Sequence, residues 1–219
     1  MEIDKILNSI SFKLYVIVFF GTLSFAVNFI NLTFTPKSSI NYNYTIKSPD
    51  DSIYINQIKN FLVGKGFTAN PTNPAMKVRR TPGYSIFYGI HYYFFGEKYS
   101  HFIIRITQCI LFGISVLLLG LGVRFFFDNL HAFFSMLIYG LCPFVMGYNF
   151  YTITEAIHPE FIIFTFYFLS LSVKYPHKKI LYIGTGFFTA CSFLIRPTNG
   201  IIIIPVSYTH LTLPTNREV

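Results

Sequence analysis

The stretch 103-IIRITQCILFGISVLLLGLGVRFFF-127 decides the fold class. Between Arg105 and Arg124 no charged side chain interrupts it. A helix of about 20 apolar residues crosses the ~30 Å hydrocarbon core of a bilayer, and this run is long enough to do so. Comparable runs occupy residues 12–34, 130–148 and 180–205. Residues 161–173 form a shorter one that reaches spanning length only if it begins near Thr154. The composition agrees: of 219 residues, 53% are hydrophobic and 12% charged, against about 25% charged in soluble domains. The expected fold is an all-α multi-pass membrane protein with about five transmembrane helices. No small-residue cleavage site follows residues 12–34, so that run reads as a retained first helix rather than a signal peptide.

The apolar runs flank one long polar interval, residues 37–84. It holds seven basic residues (Lys37, Lys47, Lys59, Lys65, Lys77, Arg79, Arg80) and only two carboxylates, the adjacent Asp50 and Asp51. Residues 52–63 read as a short amphipathic helix, with Tyr54, Ile55, Ile58, Phe61 and Leu62 on one face. Gly64 and Gly66 supply its stop, and such a helix suits the membrane surface. The Tyr-rich segment 83–95 is short for a span and reads as interfacial or re-entrant.

The formal net charge of +8 would suggest nucleic acid in a soluble protein. Here the basic residues lie in or beside the gaps between apolar runs, which points to membrane lipids or a phosphate-bearing lipid as partner, and to no nucleic acid. Cys109, Cys142 and Cys191 lie in apolar segments without C-x-x-C spacing and read as small buried hydrophobes. Lys174, His177, Lys178 and Lys179 form a basic loop that belongs on the cytoplasmic side. Alternation then puts Arg124, Lys5 and Lys13 inside, with residues 37–84, 154–160 and the Arg196 end outside. That topology requires residues 84–95 not to cross. It leaves a net +5 on the external loop, an excess that an anionic ligand would explain and that simple solvation would also allow.

This topology gathers Asp50, Asp51, Arg79, Arg80, Glu155, His158, Glu160 and Arg196 on one side. Arginine forks clamp phosphate oxygens, and a carboxylate can orient or deprotonate a hydroxyl. Each residue also has a plain structural reading. Glu155 could cap the following helix, His158 and Glu160 could sit at the interface without a role, and Arg196 could snorkel from a helix end.

The pattern resembles the integral-membrane glycosyltransferases of the C superfamily, the group holding the protein O-mannosyltransferases and the bacterial aminoarabinose transferase. The resemblance rests on Asp50 four residues before Tyr54, on NFLVGKGF (Asn60 to Phe67) and on RTPGY (Arg80 to Tyr84). It rests also on Thr154-Glu155 opening a later span and Arg196-Pro197 closing the next. Phe61 stands where Leu is commoner. The resemblance implies transfer of a sugar from a polyprenyl-phosphate-linked donor to an acceptor on the external face. The expected location is a bacterial inner membrane with the active site facing the periplasm. It implies inversion by direct displacement, with Asp50 as catalytic carboxylate and Asp51 in reserve. Arg79, Arg80, Tyr54, Glu155 and Arg196 would bind donor phosphate or substrate. No cofactor is expected: some members use a metal, but no ligand set here identifies one.

Residues 1–206 then read as the N-terminal part of a transmembrane glycosyltransferase domain, with 37–84 as its external catalytic loop. Residues 207–219, SYTHLTLPTNREV, resemble translated sequencing-adapter sequence. Two other classes compete: a transporter or flippase of a lipid-linked or anionic solute, and a membrane scaffold without chemistry. The first would want ionisable residues at the midplane of several spans. The second gives carboxylates and arginines no reason to collect on one side.

Overall fold

The computed structural model describes residues 9–73 and 80–200. Helix α1 (Ile10–Phe34) starts at Ser9, whose hydroxyl accepts the Phe12 N–H at 3.1 Å. A two-strand hairpin follows, β1 (Ile40–Asn41) with β2 (Thr45–Ile46), turning through Tyr42 and Asn43 at φ 50° and 64°. The remaining helices are α2 (Asp51–Leu62), α3 (Pro82–Val123), α4 (Asn129–Gly140), α5 (Pro143–Gly147), α6 (His158–Lys174) and α7 (Lys179–Ile195).

Helix α3 is a helical hairpin rather than one rod. Gly96 has φ 69° and ψ 179°, a backbone region open only to glycine at low cost. On a straight helix Tyr84 and Gln108, 24 residues apart, would be separated by about 36 Å. Instead the Tyr84 hydroxyl donates to Gln108 Oε1 at 2.8 Å. Tyr88 and His101 meet in the same way at 3.4 Å. The arm before Gly96 thus lies back along the arm after it, and Ile58 of α2 packs with Tyr88 of the first arm and Ile104 of the second.

Around the second arm sits the main core, where Val16 and Phe20 of α1 meet Phe112, Val116 and Leu117 of α3 and Met136 of α4. Helices α6 and α7 pair through Phe164, Phe168 and Phe188, with ring centroids 5.0 to 5.3 Å apart.

The expectation of about five spans is corrected here. Among the described residues only α1 and α3 are long and apolar enough to cross a membrane. A third span results if α4 and the residues from Pro143 to Phe150, bent by 43°, count as one. The reasons are local. Pro143 lacks an N–H and holds Cys142 extended (ψ 112°), which breaks the run 130–148. Pro159 fixes the start of α6, so that helix does not reach back to Thr154. Pro197 keeps Arg196 extended and stops α7 at Ile195. Helices α6 and α7 have 17 residues each, a rise of about 25 Å, short of the ~30 Å core. The fold class remains helical and membrane-associated.

The α1 and α3 spans are not apolar through their middles, and the polar residues there have a structural reason. Past α5 the chain runs from Tyr148 to Ile157 as irregular backbone with two 3₁₀ turns. Backbone polar groups in such a setting need partners inside the protein. Gln108 donates to the carbonyls of Asn149 at 2.7 Å and Tyr151 at 3.2 Å, and Asn28 donates to that of Met146, at the end of α5 just before this segment, at 2.5 Å. The buried Arg105 guanidinium lies 4.9 to 5.3 Å from the ring centroids of Phe25, Tyr44, Phe102 and Phe150, a cation–π box. That box ties the hairpin turn to α1, α3 and the irregular segment. The segment in turn carries Thr154 and Glu155 to the functional cleft.

Candidate active site

Four chain regions converge on one cleft of about 590 Å³, lined by Asp50, Tyr54, Arg80, Thr154, Glu155 and Arg196 together with Thr81 and Thr198. Asp50 stands at the N-cap of α2, where an aspartate ordinarily accepts a helix N–H. It makes no such bond. Its two oxygens instead take Nη2 of Arg80 at 2.8 and 2.7 Å. The second pair is Arg196 Nη1 to Glu155 Oε1 at 2.8 Å, while Thr154 Oγ1 donates to Glu155 Oε2 at 2.9 Å. Glu155 therefore does not cap α6, and Arg196 does not merely extend into solvent.

Both pairs are partly solvated: the side chains of Arg80 and Asp50 are 42% and 37% exposed, those of Arg196 and Glu155 42% and 35%. Ion pairs this exposed contribute about 1 kcal/mol or less. An incoming phosphate that offers a bidentate fork can displace a carboxylate at that cost.

The floor is rigid. Tyr54 is buried and meets Tyr84 edge to face, centroids 5.4 Å apart, and burial raises its phenol above 10. Gln57 donates to the Arg80 carbonyl at 3.2 Å and accepts from Ser85 at 2.9 Å. This is why α2 buries Ile53, Tyr54, Gln57 and Ile58 and leaves Phe61 and Leu62 outward, a rotation from the expected apolar face. Only the tertiary position of the Arg80 carbonyl reveals Gln57 as a site-building residue.

The wall opposite is set by Thr81, whose hydroxyl donates to the Ile195 carbonyl at 2.8 Å, and by Gly83. A Cβ on Gly83 would lie 2.6 Å from the Leu194 carbonyl carbon and the Ile195 nitrogen, backbone atoms that cannot yield without moving α7. Gly83→Ala is expected to cost about 1–3 kcal/mol and to lower the melting temperature in detergent. Gly186→Ala, whose Cβ meets nothing within 4 Å, is expected to be neutral or slightly stabilising.

Residues 79–219 match the family described as dolichyl-phosphate-mannose-protein mannosyltransferase. The chain belongs to that family. No curated protein and no solved structure matches it. Membership makes it a membrane glycosyltransferase by family, and the matched residues include Arg80, Glu155 and Arg196, whereas Asp50 precedes them.

The cleft of this mannosyltransferase-family chain separates the two adjacent aspartates. Asp51 faces away from it, buried, with Oδ1 accepting the Ser48 N–H and Oδ2 the Asn41 amide, both at 2.9 Å. Burial outweighs these bonds and raises its carboxyl to about 6. The folded state thus holds a proton that the unfolded chain releases near 3.8, so the stability that Asp51 contributes is fully present below about pH 4 and is lost as pH rises through about 6. Asp51→Asn is expected to flatten that slope, measurable as melting temperature between pH 4 and 7. Glu160 is buried at the start of α6 with neither oxygen hydrogen-bonded and does not line the cleft. Arg79 and residues 207–219 lie outside the described residues. Among the described residues no three His, Cys, Asp or Glu side chains cluster as a metal site.

Proposed function

We propose that the protein transfers a sugar from a polyprenyl-phosphate-linked donor to a hydroxyl acceptor on the external face of the membrane, by single inverting displacement. The observation that carries this reading is the cleft itself, where two arginines and two carboxylates arrive from four separate regions of the chain. The family match supports the reaction class.

Arg196 and Arg80 bind the donor phosphate, exchanging their carboxylate partners for its oxygens. Release of Arg80 frees Asp50 to accept the acceptor hydroxyl's proton. The acceptor oxygen then attacks the anomeric carbon from the face opposite the phosphate. The carbon–oxygen bond to phosphate breaks, and its electron pair leaves with the polyprenyl phosphate, whose added charge the guanidiniums offset. No covalent enzyme intermediate forms. Glu155 holds Arg196 in place until the donor arrives, and Tyr54 keeps the α2 start against the cleft.

The test is transfer in reconstituted membranes supplied with a radiolabelled polyprenyl-phosphate sugar. Label appearing on an acceptor with inverted anomeric configuration supports the proposal. Transfer from a soluble nucleotide sugar alone, or movement of intact donor across the bilayer without transfer, would overturn it.

A further inference from the structure

The arm of α3 before Gly96 carries its polarity inside out. Every exposed side chain between Pro82 and Phe95 is apolar or aromatic: Ile86, Ile90, Tyr93, Phe94 and Phe95, at 46% to 73% exposure. Ile86, Ile90 and Phe94 recur every four residues, with Tyr93 three after Ile90, so these side chains share one helix face. The opposite face buries Ser85, Tyr88 and His91. Ser85 bonds Gln57 there, and His91 Nε2 lies 3.1 Å from Thr107 Oγ1. An amphipathic helix at a water-exposed surface turns its polar face outward. Helix α2 does so over its first turns, where Ser52 and Asn56 are the exposed side chains.

The level of this arm follows from contacts between the two long helices. A Cβ on Gly21 of α1 would lie 3.2 Å from the Cys109 carbonyl oxygen, and Gly113 lies against the carbonyl of Ile17. Helix α1 and the second arm of α3 are therefore antiparallel neighbours. From the Gly21–Cys109 contact, about 13 residues or ~20 Å of helix lead the same way to Phe34 on one side and to Gly96 on the other. Helix α1 has 25 residues, a rise of about 38 Å, so it crosses the ~30 Å core and its end marks one boundary. The Gly96 tip stands at that boundary. From there the first arm turns back inward, and Tyr84 at its start pairs with Gln108, about 18 Å below the tip.

We infer that the first arm of α3 is re-entrant in the leaflet on the Phe34 side, with the face of Ile86, Ile90 and Phe94 packed against lipid acyl chains. Tyr93 stands near the tip, at the headgroup boundary where tyrosine is enriched. The helix satisfies its own backbone groups, and its polar side chains find their partners on the protein side, as a segment at this depth requires. Arg80 and Thr81 directly precede the arm, so its lipid contacts hold the cleft against that one leaflet, whatever reaction the cleft serves.

The chain holds no tryptophan, so single substitutions report position through quenching by brominated phosphatidylcholine in reconstituted vesicles. Ile86→Trp, Ile90→Trp and Phe94→Trp are compared with Val18→Trp, exposed within the α1 span, and with Asn56→Trp on the polar face of α2. The three arm reporters are expected to lose as much emission as Val18→Trp. Lipids brominated near the headgroup should quench Phe94→Trp best, and lipids brominated further down the chain should quench Ile86→Trp best. Asn56→Trp should respond to aqueous iodide and lose little emission to brominated lipid. Circular dichroism melts verify that each variant folds, and three arm positions keep the test open if one does not. Quenching of the arm reporters no greater than that of Asn56→Trp would put this face in water or under another protein segment and overturn the inference. So would the opposite depth order, with Phe94→Trp deeper than Ile86→Trp.

Discussion

Asp50→Asn is expected to lower sugar transfer by about 10²–10⁴-fold, the usual contribution of a positioned general base. Membrane expression and donor binding should stay near the parent level. The expectation follows from where the carboxylate points. Asp50 does not cap α2, so its replacement removes no helix-stabilising bond. Its exposed fork with Arg80 contributes little to stability. An amide keeps the shape and one acceptor oxygen but cannot take the acceptor proton. The adjacent Asp51→Asn is the control: its side chain lies outside the cleft, so transfer at neutral pH should persist while the pH dependence of stability changes. Full transfer activity in Asp50→Asn would remove that residue from the mechanism.

The second large effect is expected at Arg196. A hydrogen bond to a charged group contributes about 1.5–3 kcal/mol, so Arg196→Gln should raise the donor KM by about 10- to 150-fold. Arg196→Lys should recover part of the loss, since an ammonium supplies charge without the planar fork. Glu155 separates this account from simple destabilisation. If the Arg196–Glu155 pair at 2.8 Å only holds the fold, Glu155→Gln should damage the protein as Arg196→Gln does. If the carboxylate competes with donor phosphate for the guanidinium, Glu155→Gln should leave donor KM unchanged or lower it. KM values measured for both variants decide the matter.

Much of this arrangement is legible in the sequence because proline, glycine and charge act locally. The start and stop of α2 follow from the aspartate pair and from Gly64, and the observed Asp51–Leu62 lies one residue from the expected 52–63. The grouping of Asp50, Arg80, Glu155 and Arg196 is carried by the motifs of the family resemblance, and the cleft contains all four, whereas the alternation of about five spans does not hold. What hydropathy does not reveal is which apolar runs continue as helices. It counts methyl groups, whereas Pro143, Pro159 and Pro197 act through a missing N–H and a fixed φ. Nor does it distinguish Asp50 from Asp51, one buried in a polar nest and one open to the cleft, because that choice depends on the β1–β2 hairpin presenting Asn41. The polar residues inside α1 and α3 are legible only after the irregular backbone they serve is seen.

The most direct measurement is a cryo-electron microscopy structure of the membrane-embedded protein with a polyprenyl-phosphate-linked sugar bound. The account predicts phosphate density in the cleft, within about 3 Å of the Arg196 guanidinium, with Arg80 turned from Asp50 and the anomeric carbon within reach of a hydroxyl held by Asp50. Donor phosphate outside the cleft, with the Arg80–Asp50 and Arg196–Glu155 pairs intact, would contradict it.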